Sequence, residues 1–207
     1  KASSARILAD AEVYTAYARL RNGEVDLAHS LINGAMQLGQ ESPLAQQVAA
    51  MVAFRRGDLP EAKRAWEQLA SRQSSEPNGH LGLAICLELE GQDSLAAAAY
   101  HRGLDAKPDH APTLIRLAVV AQRGGDHAGA ARWFGAAGRV RASESRLRIA
   151  QSIAEASSDQ ADKAIELLES VDHRDVNAAV ARANSLVVRW SRGAKFYESG
   201  DYAKAVQ

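Results

Sequence analysis

Cysteine occurs once in the 207 residues, as Cys86, which excludes an internal disulfide and any multi-cysteine metal site. On the apolar stretch 81–89 that thiol reads as a small buried hydrophobe and not as a nucleophile. Aromatic residues make up only 5% of the chain, so there is no interleaved set of rings on which bases could stack. No run approaches the roughly 18 uncharged apolar residues of a membrane-spanning helix, so no membrane insertion is expected in this segment. Net charge is absent too: 25 Lys and Arg balance 25 Asp and Glu. Histidines at 29, 80, 101, 110, 127 and 173 form no HxxxH or HExxH pair. Neither a phosphate-cradling Walker loop nor a G-x-S-x-G elbow appears. The reading is therefore no catalytic residue, no metal site and no cofactor. With 46% hydrophobic residues, the chain fits a folded soluble protein, cytoplasmic or periplasmic.

What is present is a period. Gly23, Gly57, Gly91 and Gly125 lie 34 residues apart, and each is followed five residues later by an alanine, at 28, 62, 96 and 130. From the chain's own glycine and alanine frequencies, three further hits in register have a chance probability on the order of 10⁻⁶. Asp159 and Ala164 continue the register with one substitution, and Gly200 with Ala205 restarts it after a 41-residue step. The seven extra residues equal about two helical turns. They predict a long helix from about Val176 to Glu198 and not an added loop. Residues 1–8 are read as lengthening the first helix.

Around Gly91 the unit is explicit. Leu81, Leu83, Ala84, Leu87 and Leu89 precede it on a helix apolar on more than one side. Leu95, Ala96, Ala99, Tyr100 and Leu104 follow it at three- and four-residue steps until Pro108 stops the second helix. Alanines at 16, 50, 84 and 118 match those at 28, 62, 96 and 130, which marks a close helix crossing. Four residues beyond the second alanine stand Ile32, Trp66, Tyr100, Phe134 and Leu168, always bulky, as knobs between neighbouring repeats.

These residues resemble the tetratricopeptide repeat, whose 34-residue unit carries small residues at positions 8 and 20, glycine at 15, an aromatic at 24 and proline at 32. Leu83, Ala84, Gly91, Ala96, Tyr100 and Pro108 match it best, and Gly193, Phe196, Gly200 and Ala205 match it again near the end. The resemblance implies an all-α, right-handed superhelix (α-solenoid) of helix-turn-helix repeats. Repeats are expected at about 9–42, 43–76, 77–110, 111–144 and 145–178, with a truncated sixth at about 179–207, forming one superhelix. The chain begins at Lys1 without methionine and stops inside a repeat, so a segment of a longer protein is expected.

In this family, positions 2, 5, 9, 12 and 13 of each repeat tend to face a concave groove. Carried onto this chain, the resemblance implies a peptide-binding row of Tyr17, Leu20, Arg21, Gln47, Met51, Phe54, Arg55, Ile85, Glu88, Leu89, Val119, Gln122 and Arg123. Val13, Leu81, Ile115 and Ile149 fall in the same row and are read as plain core. A mostly apolar strip suits a protein or peptide partner laid along it. A carboxylate clamp is not expected, because its asparagine position reads Tyr17, Met51, Ile85 and Val119.

From Arg116 to Arg148, seven arginines face two acids, and from Glu155 to Asp172, six acids face one lysine. The expected reading is an intramolecular or solvated charge pattern, in which the acidic stretch could offset the basic one. An acidic protein partner is the alternative, and the lack of interleaved aromatics argues against nucleic acid. The expected function is a protein-binding scaffold or adaptor in a bacterial assembly or export system such as pilus or exopolysaccharide export. The alternative is a substrate-recognition arm of an enzyme whose catalytic domain lies elsewhere. An uncapped sixth repeat adds self-association as a further expectation.

Overall fold

A computed structural model describes residues 2–39 and 42–205. Among them the chain is helical throughout, with no strand. The helices alternate in pairs. The first repeat is α1 (Ala2–Arg21) and α2 (Val25–Gln37), the second α3 (Pro43–Arg55) and α4 (Leu59–Arg72), and the third α5 (Pro77–Leu89) and α6 (Asp93–Ala106). Next come α7 (Ala111–Arg123) with α8 (His127–Val140) and α9 (Ser145–Ser157) with α10 (Ala161–Glu169). The long α11 (Ala178–Glu198) and the short α12 (Tyr202–Ala205) close the series. The chain divides into two compact units, 1–108 and 109–207.

The turns follow from backbone sterics. Gly23, Gly57, Gly91, Gly125 and Gly200 all sit at φ between +73° and +84°, the left-handed region where a Cβ is penalised. At Gly91 the N–H reaches the Glu88 carbonyl at 3.1 Å, and the Gln92 N–H reaches that of Leu87 at 2.9 Å, which caps the end of α5. Asp159 takes the same place at φ 61° with the equivalent bonds to Ala156 and Glu155. The fifth repeat therefore keeps its turn after losing its glycine. Helix starts are set chemically as well. Pro43 and Pro77 occupy first-turn positions, and Asp58 and Asp126 accept the Glu61 and Gly129 N–H groups at 3.1 and 2.7 Å.

Packing follows the small–large code. The alanines at 16, 50, 84 and 118 and those at 28, 62, 96, 130 and 164 are all fully buried. Ile32, Trp66, Tyr100, Phe134 and Leu168 are buried as knobs. In the first unit one cluster gathers Val13, Leu20, Ile32, Val48 and Val52, and a second gathers Ala50, Trp66, Leu69 and Cys86. In the second unit Ile149, Leu168, Val171 and Ala181 form a cluster joining α9, α10 and α11. Cys86 is wholly buried, and that burial pushes its thiol up to about 11.

The charges pair within the fold, but among the described residues the acidic run does not meet the arginine-rich one. Asp159, Asp162 and Glu169 instead pair with Lys195, Arg192 and Arg189 on α11, and Lys163 pairs with Glu155. Lys195 holds the Asp159 carboxyl below its ordinary range through a hydrogen bond and its charge. These pairs are local because the partners lie one helix apart, and they lie at the surface, where such pairs contribute little to stability.

Candidate functional site

Helices α3 and α5 are the first helices of consecutive repeats, and each presents one face at i, i+4, i+7 spacing. From α3 this face supplies Gln47, Met51, Phe54 and Arg55. From α5 it supplies Asn78, Leu81, Gly82 and Ile85, and Trp66 of α4 completes the wall. Together they enclose a cavity of about 270 Å³. Its walls are apolar, its neutral polar groups are the Gln47 and Asn78 amides, and Arg55 is its single ionised side chain.

The floor depends on one glycine. A Cβ on buried Gly82 would stand 2.2 Å from Cδ2 and 2.3 Å from Cε2 of Trp66, so the indole occupies space that any other residue would fill. One turn before Trp66, Lys63 donates to Glu90 beyond the end of α5 at 2.6 Å. That hydrogen bond raises the lysine's pKa, burial opposes it, and the Glu90 charge reinforces it. The pair clips α4 to α5 across the same junction.

Five of the predicted residues, Gln47, Met51, Phe54, Arg55 and Ile85, come together in this cavity. Leu20 does not belong to it: at 1% exposure it is core, because α1 buries it among Val13, Ala16 and Ile32. Tyr17 is half-buried against that cluster, and Arg21 is exposed at the end of α1. Glu88 accepts the Tyr100 hydroxyl at 2.8 Å, so its carboxylate ties α5 to α6. Leu89 lies 61% exposed at the end of α5. Val119, exposed Arg123 and half-buried Gln122 lie on α7 in the second unit. Of the four residues read as core, Val13 and Ile149 are buried, Ile115 is half-buried, and Leu81 lines the cavity.

Trp66, Asn78 and Gly82 were outside the predicted row. A large knob at 66 followed sixteen residues later by a glycine is a volume complement that the residues themselves carry. Also outside the row is α11. Counted back from its turn glycine, it places Val187, Trp190, Ala194 and Tyr197 where α5 places Asn78, Leu81, Ile85 and Glu88. Val187, Trp190 and Tyr197 are 63%, 77% and 66% exposed.

A second cavity, about 480 Å³, lies among α9, α10 and α11 and includes Ile153, Val188 and Phe196. Its four rim charges, Asp159, Asp162, Arg192 and Lys195, are paired with one another, which leaves it no net charge to offer. Among the described residues there is no group of three or more metal-binding side chains and no helix long and apolar enough to cross a membrane.

Paired antiparallel helices, a left-handed turn residue, an alanine crossing and an intercalated knob define the tetratricopeptide-repeat fold, and this chain has that fold. No family model and no curated protein matches it. Solved structures do. The thermophilic TPR protein TTC0263 of Thermus thermophilus superposes with a TM-score of 0.66 at 16% identity, covering 86% of this chain and 99% of that one. PilF of Pseudomonas aeruginosa gives 0.70 at 13% identity, covering 98% and 97%. YrrB, described as a TPR protein with an unusual peptide-binding site, gives 0.57 at 16% identity over 86% and 88%. At these identities the likeness is one of fold.

Proposed function

We propose that the chain is a protein- or peptide-binding scaffold whose first unit takes its partner on the face formed by α3 and α5. The observation that carries this reading is the cavity in which Gln47, Met51, Phe54, Arg55 and Ile85 meet, walled by apolar side chains and open to solvent at exposed Arg55. The proposed setting is a bacterial assembly or export apparatus; the arginine- and alanine-rich composition supports it.

The test is affinity capture from a lysate of the source organism with wild type and with Met51→Glu/Ile85→Glu. Circular dichroism first establishes that both are folded. A partner held by wild type and lost from the double variant is the expected result. The same partners on both proteins would remove the α3–α5 face from consideration.

A second reading, self-association, has its own observation. Val176, Val180, Val187, Trp190 and Tyr197 lie at spacings of four, seven, three and seven, and each is more than half exposed. That spacing places four of them along one side of α11, with Val176 just before the helix. A second copy would bury this stripe. Sedimentation over a concentration series should then show a mass that rises for wild type and stays monomeric for Trp190→Glu.

A further inference from the structure

We infer that the α3–α5 cavity recognises a peptide segment bearing one bulky apolar side chain and, within a residue or two of it, a carboxylate. The apolar side chain would seat against the Trp66 indole, and the carboxylate would meet Arg55. The inference rests on the peptide-binding reading of this face and adds the chemistry of its occupant.

Size sets the first half. About 270 Å³ is below the range of about 300–1,000 Å³ typical of small-molecule sites, and it has room for a leucine, methionine or phenylalanine side chain together with part of its flanking backbone. Apolar side chains surround it: Met51 and Phe54 from one helix, Leu81 and Ile85 from the other, with the indole as floor. The indole is there because Gly82 has no Cβ. An alanine at 82 would have to displace the ring by about an ångström to restore ordinary contact, toward the cavity or away from it. Gly82 is thus a positioning residue for the floor.

Charge sets the second half. No acidic residue lines the cavity, and Arg55 is exposed at the last position of α3. It enters no hydrogen bond or ion pair among the described residues, while its neighbour Arg56 is engaged by His29 at 3.0 Å. An unpaired guanidinium beside an apolar pocket offers two parallel N–H donors to a carboxylate, a geometry that an ammonium or an amide in the ligand cannot satisfy. Rim charge of this kind contributes mainly selectivity and depends on salt.

The experiment uses the full chain and fluorescein-labelled eight-residue peptides in a Gly/Ala host. One contains Phe-Glu, one has that Phe replaced by Ala, and one has that Glu replaced by Lys; binding is read by anisotropy at low salt. Wild type should bind the Phe-Glu peptide at least about tenfold tighter than either control. Arg55→Glu, an exposed change that leaves the core intact, should reverse the Glu-over-Lys preference. Gly82→Ala should weaken the Phe-Glu peptide with little effect on the Ala control. Equal affinity for all three peptides, or an unchanged preference in Arg55→Glu, overturns the inference. If partner capture is still lost from Met51→Glu/Ile85→Glu in that case, the face binds a different chemistry. If capture survives that double variant, the peptide-binding reading falls with the inference.

Discussion

Helices α5 and α11 hold the same place in their repeats and meet opposite surroundings. In α5, Leu81 and Ile85 are half-buried and turned into a cavity, because α4 and α6 pack on either side. In α11 the residues in register with them are Trp190, which is 77% exposed, and Ala194. Its neighbours are α10 and the four-residue α12. The lesson is that a repeat position specifies direction, whereas the neighbouring helices determine whether that direction is a wall, a core or open surface.

The largest test of this contrast exchanges tryptophan for alanine on each side. Trp66→Ala empties a buried site and should cost about 3–5 kcal/mol, whereas Trp190→Ala should change stability by no more than about 0.5 kcal/mol. Denaturant midpoints measure both, and equal effects would dissolve the comparison. Cys86 gives a coupled readout from the first unit. With its thiol near 11, a disulfide reagent at pH 8 should attack it only as the helices open, faster in Trp66→Ala and unchanged in Trp190→Ala.

The two kinds of turn give a smaller contrast. Gly91→Ala meets no atom within 4 Å, so its expected loss of about 1–2 kcal/mol is purely conformational. Asp159→Gly should go the other way and stabilise by about 0.5–1 kcal/mol, since its partnership with Lys195 is exposed and worth little. Thermal unfolding of the two variants checks the signs.

The smallest effect is electrostatic and lies in the second unit. Asp175 is held below its ordinary range by the Asn177 backbone N–H first and the Ser145 hydroxyl second. A depressed carboxylate contributes stability above its unfolded pKa of about 3.9 and loses it as pH falls through the lower folded value. Unfolding followed from pH 6 to pH 2 should therefore steepen below pH 4, and Asp175→Asn should flatten that decline. A parallel curve for the variant would mean that the contact carries no linkage.

Much of the fold is legible from spacing because spacing is a local property. The long helix read at 176–198 is α11 at 178–198, and the first helix extends back to Ala2, both dictated by whole turns added before a turn residue. The substituted turn at Asp159 is legible for the same reason. The site is less so. Leu20 and Leu81 share the predicted row, yet Leu20 is sealed by α1 and α2 packing while Leu81 lines the cavity. Glu88 looks available until Tyr100 from the next helix donates to it.

The sequence by itself determined the period, the helix–turn–helix unit, the alanine crossings and the knobs, because each depends on backbone sterics and side-chain volume within one repeat. Tertiary structure alone decided which of the row's side chains line a cavity, that Gly82 admits the Trp66 ring, and that Asp159, Asp162 and Glu169 meet cations on α11. Those outcomes depend on what a neighbouring helix places within a few ångströms, and contact at that range is settled only when the helices pack.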